Sequence, residues 1–442
     1  MLERVTAVDE FLKEYEDPNA CAAQLLCDGH DPDAIAFTLI EADLSSEDIT
    51  YGQLRERSEQ GAAALADLGV GPGDTVATLM GKSAELVVML LAIWRRGAVH
   101  VPLFTAFAWP AIELRLTASA AKVIITDANQ RSKLQHTSAQ IIVAGDFATA
   151  PDLALEPLLC AHQSGIPAES VGGDGLLVMI FTSGTTGHPK GVPVPVRALA
   201  SFRQYVEVGL DVQENDVFWN AADPGWAYGL YYAILGPLAA GRRSLLLHAG
   251  FSPELSFAVL ERFGVTNFAA APTVYRAMRA KPATAALSLR RASSAGEPLT
   301  PEVTSWAEAT FGVPVRDQYG QTENGMMIIN SWHDDVRQDL KPGSMGQPLP
   351  GWTCAVLDND SDTLAGTNVV GRVAVDAQAS PMMWFTGYHN APERTTQQFS
   401  TDRRWYLTGD AGKMDADGYY FFSSRDDDVI LMAGYRIGPF DV

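Results

Sequence analysis

Short apolar runs of strand length alternate with longer stretches of helical period along the first third of the chain. AFTLIEA (36–42), TVATLM (75–80), AVHVPLF (98–104) and KVIITDA (122–128) read as strands. TYGQLRERSEQGAAALADLGVG, from Thr50, reads as a helix: Thr50 is a good N-cap, Leu54, Gly61, Leu65 and Leu68 fall near one face, and Gly69 closes the end. SAELVVMLLAIWRRG is a second helix, and a third is expected near Ile112–Ala118. Strands separated by helices imply a mostly parallel sheet with right-handed crossovers.

The middle repeats this order. GLLVMIFTS, DVFWNAA, TNFAAA and SLRRASSAGEP are expected strands, with helices over RALASFRQYVEV and PELSFAVLERFGV. From about Gly343 the elements become short strands joined by turns: TCAVLD, VVGRVAVD, WYLTGDAGKMDADGYYFFSS and DDVILMAG, with ADG as a hairpin turn. The expected architecture is α/β. Two mostly parallel α/β subdomains (about 1–170 and 171–342) precede a smaller β-rich subdomain, a distorted barrel, at 343–426. The chain ends at GYRIGPFDV, a strand-like run with nothing after it to pack on, which reads as a truncation within or before a further domain.

Composition narrows the function. At 442 residues and 47% hydrophobic, the chain can bury a large core. A formal net charge of −21 argues against DNA or RNA as partner, since nucleic-acid footprints are basic. Cys21, Cys27, Cys160 and Cys354 lack zinc spacing and read as reduced thiols of a cytoplasmic protein. The N-terminus carries acids throughout and is no signal peptide. The longest apolar run, residues 86–94, is too short to span a bilayer.

The candidate chemistry begins at FTSGTTGHPKG, residues 181–191. Glycines permit close approach to a ligand, hydroxyls supply donors and Lys190 a charge, as a polyphosphate requires. The spacing is not that of a P-loop, because Gly191 follows the lysine where Ser or Thr is needed. Four further segments carry polar residues next to predicted strands: SSAGEPLTPEV (293–303), RDQYGQTENG (316–325), WYLTGDAG (405–412) and SSRDDDVILMAGYRIGP (423–439). DNDSDT (358–363) is not a calcium loop: Thr363 stands where the turn needs Gly, and Val369 where a bidentate Glu is needed.

Together the five segments, in this order over nearly the whole chain, resemble the adenylate-forming superfamily that includes acyl-CoA synthetases, luciferases and peptide-synthetase adenylation domains. The resemblance implies activation of a carboxylic acid by ATP, with Mg²⁺, to an acyl-adenylate, then transfer to CoA. Thr182, Ser183, Gly184, Thr185, Thr186, Gly187 and Lys190 would hold the β- and γ-phosphates. Thr322 would bond the α-phosphate and Glu323 bind Mg²⁺. Gly296, Glu297 and Pro298 would line one face of adenine and Tyr319 stack on the other, within the run Asp317, Gln318, Tyr319, Gly320, Gln321. Asp410 would accept from the ribose hydroxyls, with Arg425 on ribose or phosphate and Arg436 at the α-phosphate. Asp427 would be the hinge of a small C-terminal domain, of which 427–442 is the stub. The superfamily's catalytic lysine is expected beyond residue 442, and Ser424 replaces the usual glycine before the fourth segment's arginine.

ADPGWAYGLYYAILGPLAAG (222–241) resembles the acetyl- and medium-chain acyl-CoA synthetase branch, with Trp226 and Gly229 bordering the acyl pocket. Acetyl-specific relatives close that pocket with a tryptophan where this chain has Gly320. The resemblance therefore implies an acid larger than acetate, medium-chain, branched or aromatic. Two alternatives remain: a stand-alone enzyme that loads a carrier protein, and a non-catalytic nucleotide-binding regulator.

Overall fold

The computed structural model describes residues 2–145, 149–182, 189–281, 287, 289–425, 430–432 and 435–437; of residues 2–7 and the last two segments it describes the main chain only. Among the described residues the strands form three larger sheets and a two-stranded ribbon. In the seven-stranded sheet, Leu153–Ala154, Gln140–Ala144, Val123–Asp127, Thr75–Leu79, Val99–Pro102 and Leu176–Thr182 run parallel in that spatial order. Lys190–Pro195 closes one edge antiparallel. Its Pro193 and Pro195 hid this strand in the sequence; prolines are tolerated because an edge strand need not donate on both sides. The parallel strands are rich in Val and Ile because both faces are covered.

The helix Ala84–Arg95 is an interior element, with every residue from Leu86 to Arg95 buried. Against it packs the helix Tyr51–Asp67. Thr50 starts that helix with a reciprocal cap: its Oγ1 accepts from the Gln53 N–H at 3.2 Å, and the Gln53 side chain accepts from the Thr50 N–H at 2.8 Å.

The nine-stranded sheet runs Gln347–Pro348, Gly325–Ile329, Val315–Gln321, Arg291–Ala295, Asn267–Ala270, Phe218–Asn220, Ser244–His248, Ile35–Glu41, Ser46–Thr50. Its centre is parallel and its edges antiparallel. Cys354–Leu357, Gly371–Asp376, Trp405–Met414 and Tyr420–Arg425 form the antiparallel four-stranded sheet of the smaller β-rich part.

The cut expected near residue 170 does not follow the sheets. Ile35–Glu41 and Ser46–Thr50 belong to the nine-stranded sheet, while Leu176–Thr182 and Lys190–Pro195 complete the seven-stranded one. The cause is long-range pairing: Phe37–Glu41 run parallel to Ser244–His248, a register with no local sequence signal.

A buried charge ties the helix Ala84–Arg95 to the helix Tyr51–Asp67 and to Asp28. The Arg95 side chain, 1% exposed, donates to Asp28 and to Ser58 Oγ at 2.8 Å, and lies 3.8 Å from Glu59. Removing one partner of a buried pair leaves the other desolvated, at about 3–5 kcal/mol. Arg95→Ala is expected to lower the unfolding free energy by that order, read as a fall in the urea midpoint at unchanged slope. Lys281→Ala, which breaks the exposed pair with Glu254, is expected to leave the midpoint in place.

Candidate active site

The carboxyl ends of parallel strands are where open α/β sheets bind ligands. Here three such ends converge on one cleft of about 530 Å³. Thr182 ends one strand, Gly296–Pro298 follow Arg291–Ala295, and Gln321–Glu323 end Val315–Gln321. Gly296 adopts φ +102°, which lets the chain turn sharply away from its strand. The four-stranded sheet supplies the opposite wall through Asp410 and Arg425, which face one another across adjacent strands.

The polar groups of the cleft are tightly interlinked. The Tyr319 hydroxyl donates to Asp410 Oδ2 at 2.5 Å, and Gln321 Nε2 donates to the same oxygen at 2.8 Å. Gln321 is itself held by the Thr408 carbonyl (2.8 Å) and the Tyr406 hydroxyl (3.0 Å). The Tyr388 hydroxyl donates to Glu323 Oε1 at 2.8 Å. Burial pushes the Glu323 carboxyl above the usual carboxylate range, against the opposing pull of Tyr388, Lys190 and Arg425. Burial likewise raises Asp317 to about 7, although the N–H groups of Leu299 and Gln318 favour its charged form. Burial, and then Asp410, raise the Tyr319 phenol well above its ordinary value, so it acts as a neutral donor.

The cleft gathers Thr182, Lys190, Trp226, Gly296, Glu297, Pro298, the run Asp317–Glu323, Asp410 and Arg425. Gln318 lines it, but its amide is engaged inside the fold by Tyr205 and Ser293. Glu297 is paired with Arg276 at 2.7 Å. Gly229 does not line the cleft, contrary to expectation: a Cβ there would lie 2.1 Å from the Asp223 carbonyl oxygen, so this glycine serves a tight backbone approach. Gly320 does line it, for a reason the sequence does not carry. Its Cβ would lie 2.2 Å from the Gly325 oxygen and 2.6 Å from Met326 Cα, so the wall here is main chain. Ser183, Gly184, Thr185, Thr186, Gly187 and Asp427 lie outside the described residues. Arg436 lies in the strand Tyr435–Ile437, and its side chain is likewise outside them.

Sequence reasoning missed Tyr388, Gln398, Tyr406 and Thr408, all of which line the cleft. TGYHNAP offers only an aromatic within a turn, and its role appears once the fold brings it to Glu323. It also missed the aromatic neighbours of Trp226: Phe104 and Phe107, with ring centroids 5.1 and 5.9 Å away. Among the described residues no group of three or more His, Cys, Asp or Glu is placed to hold a metal. A single carboxylate such as Glu323 suits Mg²⁺, which completes its shell with phosphate oxygens and water.

The cleft at the strand ends thus holds a half-buried carboxylate, Glu323, near a lysine, Lys190. The family of AMP-binding enzymes matches residues 28–389. An acetyl-coenzyme A synthetase of Bacillus subtilis (strain 168) is 34% identical over 408 residues, 90% of this chain and 70% of that protein. The crystal structure of an acyl-CoA synthetase from Brucella canis superposes with TM-score 0.90 at 39% identity, covering 99% of this chain and 80% of the other. The anthranilate CoA ligase AuaEII in complex with anthranoyl-AMP gives TM-score 0.85 at 25% identity, covering 96% and 81%. The chain belongs to the AMP-binding enzymes and is an AMP-forming acid–CoA ligase.

Asp317 provides a pH test. Its folded pKa is raised to about 7, above the unfolded value of about 3.9. Its contribution to stability is therefore complete below the unfolded value and is lost as pH rises through about 7. Asp317→Asn is expected to flatten the fall in melting temperature between pH 4 and 7. Melting curves at half-unit steps check this, and an unchanged slope would remove Asp317 as its source.

Proposed function

We propose that the cleft activates a carboxylic acid larger than acetate, forming its acyl-adenylate from ATP with release of pyrophosphate and passing the acyl group to CoA. A free carboxylate resists attack by a thiol because it is an anion with a poor leaving group; the mixed anhydride with AMP removes both obstacles. Bringing a carboxylate against a triphosphate requires cationic and oriented donor groups. Lys190 and Thr182, with the hydroxyl and glycine run that precedes the lysine, are assigned to the β- and γ-phosphates, and Thr322 to the α-phosphate. Glu323 is assigned to Mg²⁺, which supplies charge neutralisation between phosphates. Gly296–Pro298 and Tyr319 would sandwich adenine. Asp410 would take the ribose hydroxyls, with Arg425 and Arg436 completing the polar wall.

The observation that carries the substrate size is the aromatic surface at Trp226 beside a cleft wall that at Gly320 is main chain alone. A Cβ on Gly320 would point into the strand Gly325–Ile329 and not into the cleft, so this position supports the reading only by leaving no side chain on that wall. Trp226, Phe104 and Phe107 offer aromatic surface nearby. The similarity to an acetyl-coenzyme A synthetase supports acetate as the second reading, and the similarity to an anthranilate ligase favours the first. The acceptor is assigned as free CoA rather than a carrier protein. The site of action is assigned to the cytoplasm, which suits the four free cysteines. Among the described residues no helix is long and apolar enough to cross a membrane.

Each methylene buried contributes about 0.8 kcal/mol. Hexanoate is therefore expected to exceed acetate by more than tenfold in kcat/KM, with benzoate also preferred. Pyrophosphate release measured with the three acids decides, and acetate equal to or better than hexanoate would overturn the size assignment.

A further inference from the structure

We propose that Tyr388 is a positioning residue that keeps Lys190 and Glu323 apart, so that each remains available to substrate. The inference rests on the nucleotide reading of the cleft given above. The Lys190 ammonium stands over the Tyr388 ring, 5.0 Å from its centroid. The hydroxyl of the same ring donates to Glu323 Oε1 at 2.8 Å, with Gln398 Oε1 at 3.2 Å. One side chain thus engages the cation by its face and the carboxylate by its tip. Lys190 lies near enough to favour the charged form of Glu323, yet the two form no ion pair.

The ring is held in this place. Phe385 packs against it at 5.0 Å, edge to face. The Tyr388 N–H donates to Thr395 Oγ1 at 2.9 Å. The His389 N–H donates to the Gly191 carbonyl at 2.8 Å, which fixes Tyr388 relative to the residue beside Lys190. Gly191 permits this approach, since a Cβ there would lie 3.1 Å from Met179 and Phe181 and 3.2 Å from His389.

The physical reason is the low dielectric of the cleft. A direct ammonium–carboxylate contact there is far stronger than in water. Incoming phosphate would have to break it. A ring face holds an ammonium more weakly, and releases it readily to a phosphate. A hydroxyl orients the carboxylate without cancelling its charge.

The test is calorimetric titration of wild type, Tyr388→Phe, Tyr388→Leu, Glu323→Gln and the double variant Tyr388→Leu/Glu323→Gln, each with metal-free ATP in EDTA and with ATP plus Mg²⁺. Tyr388→Phe keeps the ring. It is expected to bind metal-free ATP within about twofold of wild type and to lose about fivefold with Mg²⁺, through the disoriented Glu323. Tyr388→Leu is expected to lose about tenfold for metal-free ATP, as Lys190 collapses onto Glu323. Adding Glu323→Gln removes that partner and is expected to restore metal-free binding to the level of Glu323→Gln alone. A purely structural role for Tyr388 would leave the loss unrescued, and that result overturns the inference. So does unchanged metal-free binding by Tyr388→Leu. If wild type itself binds no ATP under either condition, the nucleotide reading fails, and this outcome is distinct from the other two.

Discussion

Charges that must act on a substrate cannot be left to neutralise each other, and in a low-dielectric cleft the attraction between them is strong. The site meets this constraint with neutral donors. Tyr319 and Gln321 reach Asp410, and Tyr388 reaches Glu323. Each carboxylate is oriented by a donor that carries no charge of its own. Burial raises the cost of the Glu323 charge, which is why that carboxyl is pushed up.

Such an arrangement requires rigid support, and the interleaved sheets provide it. Asp410 and Arg425 come from one sheet, Glu323 and Gln321 from the end of a strand in another, and Lys190 from the edge of a third. Small rotations between these sheets would move donors out of hydrogen-bond range. The Gln321 bonds to Thr408 and Tyr406 cross such a junction, and the His389 bond to Gly191 ties the edge strand Lys190–Pro195 to the turn that carries Tyr388. The exchange of strands between the first two sheets has the same effect. Ile35–Glu41 cannot separate from Ser244–His248 without breaking a parallel ladder.

Most of the site was legible because phosphate and nucleotide chemistry needs dense polar residues next to strands, and such clusters stand out in a sequence. Thr182 and Lys190 stood out in this way, with carboxylates at Glu323 and Asp410, while Arg425 came from the resemblance to a known family; all five lie in one cleft. The layers were less legible. Strand type follows local pattern, but sheet membership depends on partners far along the chain, as for Ile35–Glu41. Ser46–Thr50 was missed because SEDIT is polar and mostly exposed, an edge strand without an apolar face. Tyr388 was missed because one aromatic in a turn is common; its meaning lies in what the fold places at its face and its tip.

The two glycines assigned to the acyl pocket show how the same residue type carries different information. Both are glycine because a neighbouring backbone lies within 2.2 Å of where a Cβ would be. At Gly229 that neighbour is the carbonyl of Asp223, in the turn that precedes Trp226, and the residue shapes this turn without touching the cleft. At Gly320 it is the adjacent strand, and the residue's other side forms cleft wall. A missing side chain enlarges a pocket only where the side chain would have pointed into it. At Gly320 the strand Gly325–Ile329 occupies the direction a side chain would take, and a tryptophan would need the ladder to shift first. The shape of the cleft wall at Gly320 is thus linked to the register between Val315–Gln321 and its neighbour, which shifts between Tyr319 and Gly320. The wall here is a property of strand pairing, and a single substitution at 320 would alter fold and cleft together.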